Sequence, residues 1–125
     1  MIGLYRRKKL KKKKEEIERF LETFKMMMKT IGFRLIPREK NLQSLADLKI
    51  SYDSAKNEIN KLTYINYESG PLTDHEKKNK NVWIFGIVLG NKEVYIKLSD
   101  DFEHVAKCLS FHEAKETLKK PMEKS

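Results

Sequence analysis

Apolar residues in the first quarter of the chain recur at spacings of three and four positions. This spacing aligns apolar side chains in one stripe along a helix. The members of the stripe are Ile17, Phe20, Leu21, Phe24, Met27, Met28 and Ile31. We predict a helix from about Leu10 to Lys29. Gly32 ends it, because glycine readily adopts the left-handed conformation that closes a helix.

The next forty residues carry weaker patterns. The segment GFRLIP predicts a short edge strand closed by Pro37, because proline cannot donate to a strand ladder. Residues 38–51 fit no single pattern. A second helix is predicted from Tyr52 to Leu62, and its N-cap is one of three polar residues, Ser51, Asp53 or Ser54.

A polar segment from Asn66 to Asn81 contains a Gly-Pro pair and predicts a long loop. Loops of that length inside a compact domain are usually functional or disordered. This one carries three lysines, Lys77, Lys78 and Lys80.

Three runs rich in β-branched and aromatic residues follow, with short turns between them. They are Val82–Leu89, Glu93–Ser99 and His104–Phe111. Consecutive strands with short connections predict an antiparallel meander. Together with the helices, they predict a single α+β domain in which N-terminal helices pack on one face of a mostly antiparallel sheet.

The register of the first hairpin follows from its turn. Gly90-Asn91 suits a two-residue II′ turn, which places glycine at the first central position and pairs Leu89 with Lys92. Counting outward puts Ile87 opposite Val94, Phe85 opposite Ile96 and Trp83 opposite Leu98 on a core face. The outer face then pairs Val88 with Glu93, Gly86 with Tyr95 and Ile84 with Lys97.

The second hairpin requires a loop with an even number of residues if apolar positions are to share the core face. A four-residue loop, Asp100–Glu103, meets that condition and directs Val105, Leu109 and Phe111 to the core. It pairs Ser99 with His104, Lys97 with Ala106, Tyr95 with Cys108 and Glu93 with Ser110. His112 then lies just beyond the last strand, on the outer face with Tyr95 and Lys97.

Two interpretations of the outer face are open. It is either the solvated side of an antiparallel sheet or a functional surface. Gly86 favours the second, since glycine inside a strand often marks a close approach. The neighbours Ile84 and Val88 suit a face that is partly covered. Tyr95 and His112 also belong to residue types that transfer protons.

Charge is concentrated at the N-terminus. The 125-residue chain has a formal net charge of +9, and Arg6–Lys14 holds eight of its 27 basic residues. The remaining 19 basic residues nearly balance 18 acidic ones, so residues 15–125 form the predicted domain and residues 1–14 a basic arm. The arm is either solvated or a phosphate-contacting segment that uses Arg6 and Arg7.

Several classes of protein are disfavoured by composition. The single cysteine, Cys108, excludes an internal disulfide framework and suits a small core residue. The basic N-terminus is not followed by the apolar run of a signal peptide, and no stretch approaches the roughly 18 apolar residues of a membrane span. A cytoplasmic location is therefore expected. His75 and His104 lack partners at metal-ligand spacing, so neither a metal nor another cofactor is expected.

The order VWIFG, EVYIKL and CLSFHEA resembles small bacterial toxins of the MqsR type, within the wider RelE-like group of mRNA interferases. The upstream segment INKLTYINYESGP is similar to the part that precedes the sheet in that group. The resemblance covers about Ile59 to His112. It implies a RelE-like fold and an endoribonuclease that cuts mRNA, with or without the ribosome, and is neutralised by a cognate antitoxin.

The resemblance also implies roles for single residues. The strand tyrosine of the group corresponds to Tyr95, and the basic residue after SF corresponds to His112. A loop lysine of the group falls near Ser69, for which Lys77, Lys78 or Lys80 is the expected substitute. A polar residue that follows the tryptophan is Ile84 here, a second departure.

Metal-free RNA cleavage agrees with the residues of the outer face. It uses the adjacent 2′-OH as nucleophile, and histidine suits proton transfer near neutral pH. We expect His112 to act as acid or base, Tyr95 as proton donor or substrate orienter, and Lys97 as phosphate stabiliser. Bases would stack on Tyr95, Tyr67 or Tyr64. The rival hypothesis is a non-catalytic RNA- or protein-binding module that uses the same face.

Overall fold

The computed structural model describes residues 2–123 and has an α+β fold, as predicted. Three helices accompany a five-stranded sheet in the order β1-β5-β4-β3-β2, in which only β1 is parallel to its neighbour. The elements are α1 (Ile2–Thr30), β1 (Phe33–Leu35), α2 (Glu39–Leu48), α3 (Tyr52–Asn60), a 3-10 turn (Tyr64–Asn66), β2 (Tyr67–Thr73), β3 (Asn81–Leu89), β4 (Lys92–Ser99) and β5 (Ala106–Glu113).

Helix α1 covers the core face of the sheet with its apolar stripe. The ring of Phe20 stacks on Trp83, with centroids 4.7 Å apart, and Phe24 is fully buried beside it. The helix begins at Ile2, eight residues before the predicted Leu10. Lysine and arginine are good helix formers, so the basic stretch continues the helix although residues 3–9 are exposed.

The middle segment contains two helices. Ser51 caps α3 as predicted, since its Oγ accepts from the backbone N–H of Ser54 at 3.0 Å. The segment without a clear pattern forms α2, which ends at Lys49 in the left-handed conformation. The predicted edge strand is β1, at the end of the sheet.

The prediction of a loop over residues 66–81 is wrong for the first half of that segment. Residues Tyr67–Thr73 form β2, which pairs with β3 through an irregular register. Pro71 is tolerated there because β2 is an edge strand and one side of it needs no ladder bonds. Residues 74–80 remain a loop.

The β3–β4 register is confirmed at every predicted pair, from Leu89↔Lys92 to Trp83↔Leu98. The predicted β4–β5 register is wrong, because Tyr95 pairs with His112 instead of Cys108 and Lys97 pairs with Ser110. The connection runs from residue 100 to residue 105, two residues longer than expected. The shift is an even number, so Ser110 and His112 still lie on the outer face.

A β-bulge between β4 and β5 changes which residues face the core. Lys97 pairs with Ser110, whereas Leu98 pairs with Cys108, so Leu109 is the extra residue. Cys108 is therefore fully buried in the core, where the prediction placed Leu109. Burial raises the pKa of the Cys108 thiol to about 12, which fits an unreactive core cysteine.

The C-terminal segment covers part of the outer face. A Cβ atom on Gly86 would lie 2.5 Å from Cδ1 of Leu118, and the backbone N–H of Leu118 donates to Oε2 of Glu93 at 3.1 Å. Ile84 is only 3 % exposed and Met122 belongs to the core. The close approach inferred from Gly86 is therefore made by the chain itself.

Candidate functional site

Strands β4 and β5 hold the centre of the outer face. Tyr95 and His112 are directly opposite each other, and their rings are stacked with centroids 5.2 Å apart and planes 14° apart. Lys97 and Ser110 form the next pair on the same face. The structure thus brings the three predicted catalytic residues, Tyr95, Lys97 and His112, together.

One nitrogen of His112 is occupied by the backbone. Nδ1 lies 3.0 Å from the carbonyl oxygen of Glu113. A carbonyl oxygen only accepts, so this bond places the proton of the neutral ring on Nδ1 and leaves a lone pair on Nε2. Burial lowers the pKa of His112, the hydrogen bond to the Glu113 carbonyl raises it, and the charges of Lys40, Lys115 and Lys97 lower it again, so the net change is downward. At neutral pH the side chain is a neutral base.

The pKa of Tyr95 is raised, whereas that of His112 is lowered. Burial raises the pKa of its phenol, and the carboxylate of Glu68 raises it further. The hydroxyl therefore keeps its proton at neutral pH and is able to donate it. A base and a protonated donor stand side by side, which is the pairing that general acid–base catalysis requires.

Three lysines surround this pair, and each comes from a different part of the chain. Lys40 lies on α2, Lys97 on β4 and Lys115 in the C-terminal segment, and all three act electrostatically on His112. The same surface also carries Glu68 and Glu116, but with Lys119 the lysines outnumber these carboxylates four to two, so the net local charge is positive and suits a phosphate group. Sequence reasoning identified Lys97 and missed Lys40 and Lys115.

The stacked pair lies on the floor of an open groove on the outer face. We call it the outer groove; its larger part has a volume of about 640 Å³ and is lined by residues that include Glu68, Tyr95, Lys97, His112, Lys115 and Leu118. A second hollow of about 240 Å³ continues from Tyr95 and Lys97 towards His75 and Arg38. An extended chain has room to run along both hollows.

The lysines predicted to bind RNA lie in the loop over residues 74–80, which contributes Asp74, His75 and Glu76 to the smaller hollow. Their surroundings differ. Lys77 donates to the buried carboxylate of Asp101 and also lies 4.0 Å from Glu103, so it anchors the loop. Lys78 is exposed and Lys80 is half-buried in the same loop.

The three tyrosines predicted to stack on RNA bases also have different surroundings. Tyr67 is 7 % exposed, and its hydroxyl donates to the carbonyl of Gly70 at 2.6 Å. Its ring packs edge-on against Trp83 within the core. Tyr64 is half-buried under the ammonium of Lys14, 4.4 Å from the ring centroid. Tyr95 is the one of the three that lines the outer groove.

The basic arm belongs to the other layer of the molecule. Arg6 and Arg7 are exposed on α1, which packs on the core face, opposite the outer groove. Lys13 ties the base of the arm to the β2 edge, since its Nζ donates to the carbonyl of Gly70 at 3.3 Å. The arm and the stacked pair are therefore separate features of the surface.

Two further findings bear on the class of site. Within residues 2–123, no group of three or more His, Cys, Asp or Glu side chains is arranged to hold a metal ion. No helix in the described part of the chain is long and apolar enough to cross a membrane.

Comparison with known proteins adds no family assignment to this geometry. No family model, no curated protein and no solved structure matches this chain.

Proposed function

We propose that this protein is an endoribonuclease that cleaves single-stranded RNA without a metal ion and acts on mRNA as a toxin-type interferase. The observation that carries the proposal is the stacked Tyr95–His112 pair within the field of three lysines. The resemblance of EVYIKL and CLSFHEA to RelE-like interferases supports the same residues.

In the reaction we infer, the ribose 2′-oxygen attacks the adjacent phosphorus while the bond from phosphorus to the 5′-oxygen breaks. Nε2 of His112 takes the 2′-OH proton, and the phenol of Tyr95 donates its proton to the leaving 5′-oxygen. His112 then releases its extra proton to solvent and the Tyr95 phenolate takes one up from solvent, so both residues are regenerated. The products are a 2′,3′-cyclic phosphate and a 5′-hydroxyl.

The lysines supply charge stabilisation. Negative charge grows on the equatorial oxygens as phosphorus becomes five-coordinate, and fixed cations stabilise that state more than the ground state. Lys97 lies on β4, two residue pairs along from the stacked rings and on the same face of the sheet. Lys40 and Lys115 approach the same imidazole from the other elements.

The test is cleavage of a single-stranded RNA at neutral pH in the presence of EDTA, with product ends identified by mass. We expect His112→Ala and Tyr95→Phe each to reduce the rate by about 100-fold or more, the usual contribution of a proton-transfer group. His104→Ala is the matched control, since His104 is exposed on the β4–β5 connection, and it should retain the wild-type rate.

Two outcomes would overturn the proposal. Equal cleavage by wild type and His112→Ala would remove His112 from the reaction. Binding of RNA or protein on the outer face without cleavage by the wild type would favour the rival, a non-catalytic binding module.

The proposed partners extend from the same resemblance. A cognate antitoxin is expected to suppress cleavage, which co-expression with the product of a neighbouring reading frame would test. The arm is proposed to hold RNA through phosphates, so changing Arg6 and Arg7 to Gln should flatten the salt dependence of RNA affinity. An unchanged slope would make the arm a solvated helix. Cleavage with and without ribosomes decides whether the ribosome takes part.

A further inference from the structure

A hollow beside the basic arm has no part in the proposed reaction. It lies between α1, the start of β2 and the C-terminal segment, and has a volume of about 470 Å³. That volume is within the range of small-molecule sites, about 300–1,000 Å³. We call it the arm hollow; its lining residues include Leu10, Tyr67, Pro121 and Met122.

One face of the arm is turned towards the arm hollow. Among the lining residues are positions 6, 9, 10, 13 and 16, which have the three- and four-residue spacing of a single helix face. Arg7, Lys8 and Lys11 are exposed and do not line the hollow. The cations of the arm are therefore divided between the hollow and open solvent.

The floor of the arm hollow is apolar. Met122 belongs to the hydrophobic core, Leu10 packs against that core, and Pro121 is exposed beside Met122. Lysine and arginine lay their methylene stems along apolar surface while their charged heads stay in water. The hollow therefore combines an aliphatic interior with a cationic rim.

The rim has an excess of cations over carboxylates. Nζ of Lys13 is paired with Glu16 at 3.2 Å, which uses one of each. The other lining carboxylate is Glu68, which also lines the outer groove and so lies at the boundary of the two depressions. The remaining basic residues make no ion pair within residues 2–123; they are Arg6, Lys9 and Lys12. Three unpaired cations against one carboxylate are complementary to an anionic group.

A nucleobase suits the arm hollow poorly. Proteins bind unpaired bases by stacking and by hydrogen bonds to the base edges. The ring of Tyr67 is 7 % exposed and packs edge-on against Trp83, so it offers no open face for stacking. An alkyl chain needs neither a stacking face nor hydrogen bonds.

We propose that the arm hollow binds a free single-chain anionic amphiphile, such as a fatty acid. Its chain lies on the apolar floor, and its headgroup lies against Arg6, Lys9 and Lys12. A lipid within a bilayer fits less well, because its chain would have to leave the bilayer to enter a hollow between three elements of the fold. The proposal does not rest on the endoribonuclease activity.

Calorimetric titration of the full chain with octanoate, decanoate and dodecanoate, each below its micelle concentration, tests the site. Full burial of a methylene strengthens binding by about fourfold. The arm hollow is open to solvent, so we expect about half of that effect in free energy, or about fourfold for each two methylenes added. Dodecyltrimethylammonium has the same chain length as dodecanoate and a cationic head, and it should bind more weakly.

Two lysine pairs in the arm provide variants of equal net charge. Lys9→Gln with Lys12→Gln should weaken dodecanoate binding by about fivefold, the usual size for two exposed charge interactions. Lys8→Gln with Lys11→Gln is the matched control, since neither residue lines the hollow, and it should leave the affinity within about twofold of wild type.

A second pair of variants tests the chain contact. Leu10→Gln should reduce the dependence of affinity on chain length, because Leu10 forms part of the floor. Leu4→Gln is its control, since Leu4 is an exposed apolar residue of the same helix that does not line the hollow.

Three outcomes would overturn the site. Equal weakening by the two lysine pairs would show a general attraction to the cationic arm. An affinity that does not change with chain length would leave the apolar floor without a role. Binding of phosphatidylglycerol vesicles without binding of monomeric dodecanoate would assign the arm to a membrane surface. None of these measurements involves RNA, so the endoribonuclease proposal is tested separately.

Discussion

The carboxylate of Asp101 joins three separate parts of the fold, and its removal makes a sharp prediction. Its side chain is 3 % exposed and accepts from Nζ of Lys77, with Nζ of Lys107 at 3.4 Å. It also accepts from the backbone N–H of Glu103 at 3.0 Å, while its own N–H donates to Oγ of Ser99 at the same distance. Asp101→Asn retains the shape and removes the charge.

The size of the expected stability loss depends on how exposed each partner of Asp101 is. Removing one member of a fully buried ion pair costs about 3–5 kcal/mol. Here Lys77 is about half exposed, so solvent screens part of that interaction. Asparagine also keeps an acceptor for the N–H of Glu103. We therefore expect a loss of about 2 kcal/mol in the free energy of unfolding, which lowers the Tm of a chain of this size by roughly 8 °C.

The pH dependence has a definite sign. The hydrogen bond from Lys77 holds the pKa of Asp101 well below its usual range. A carboxyl whose pKa is lower in the folded state stabilises the fold above its unfolded value of about 3.9. That contribution is lost as the pH falls through 3.9 towards the folded pKa. The difference in the free energy of unfolding between wild type and Asp101→Asn should therefore be largest at pH 7. It should decrease between pH 5 and pH 3.

Urea denaturation followed by circular dichroism at pH 7, 5, 4 and 3 measures this gap. Glu103→Gln is the matched control, since that carboxylate is 68 % exposed and 4.0 Å from the same ammonium; it should change stability by less than about 0.5 kcal/mol. Equal stability of Asp101→Asn and wild type at pH 7 would refute the reasoning. So would a gap that stays constant as the pH falls.

Two further predictions concern the interior of the sheet. Burial raises the pKa of the Cys108 thiol, so the thiol should react slowly with iodoacetamide in the native protein. At pH 8 we expect a rate at least roughly 100-fold lower than in urea. Similar rates in the two conditions would contradict the core position of Cys108. Asn41→Ala removes the side-chain hydrogen bonds to the Phe111 N–H and to the carbonyls of Ile36 and Leu109, of which the Ile36 carbonyl still accepts from the N–H of Arg38 at 2.8 Å. The variant should destabilise the fold by about 3 kcal/mol. A loss under 1 kcal/mol in urea denaturation would show that water replaces the amide.

Local patterns predicted the parts of the fold that local interactions determine. The β3–β4 hairpin is an example, because the Gly90-Asn91 turn and the alternation around it set the register without help from elsewhere. The cap at Ser51 and the apolar stripe of α1 depend equally on neighbours in the chain. The sequence analysis did not predict α2, whose buried face includes the polar residues Asn41 and Ser44 while Leu42 is exposed. It did not predict β2 either, because that strand contains a Gly-Pro pair.

The sequence by itself determined the α+β class and the first hairpin, which places Tyr95 and Lys97 on one face because side chains alternate along a strand. Only the tertiary structure decided that Tyr95 stacks on His112, since the pairing depends on a bulge at Leu109 and on a connection held by Asp101. It also brought Lys40 and Lys115 to the site. Those contacts join residues far apart in the chain, and no local pattern encodes them.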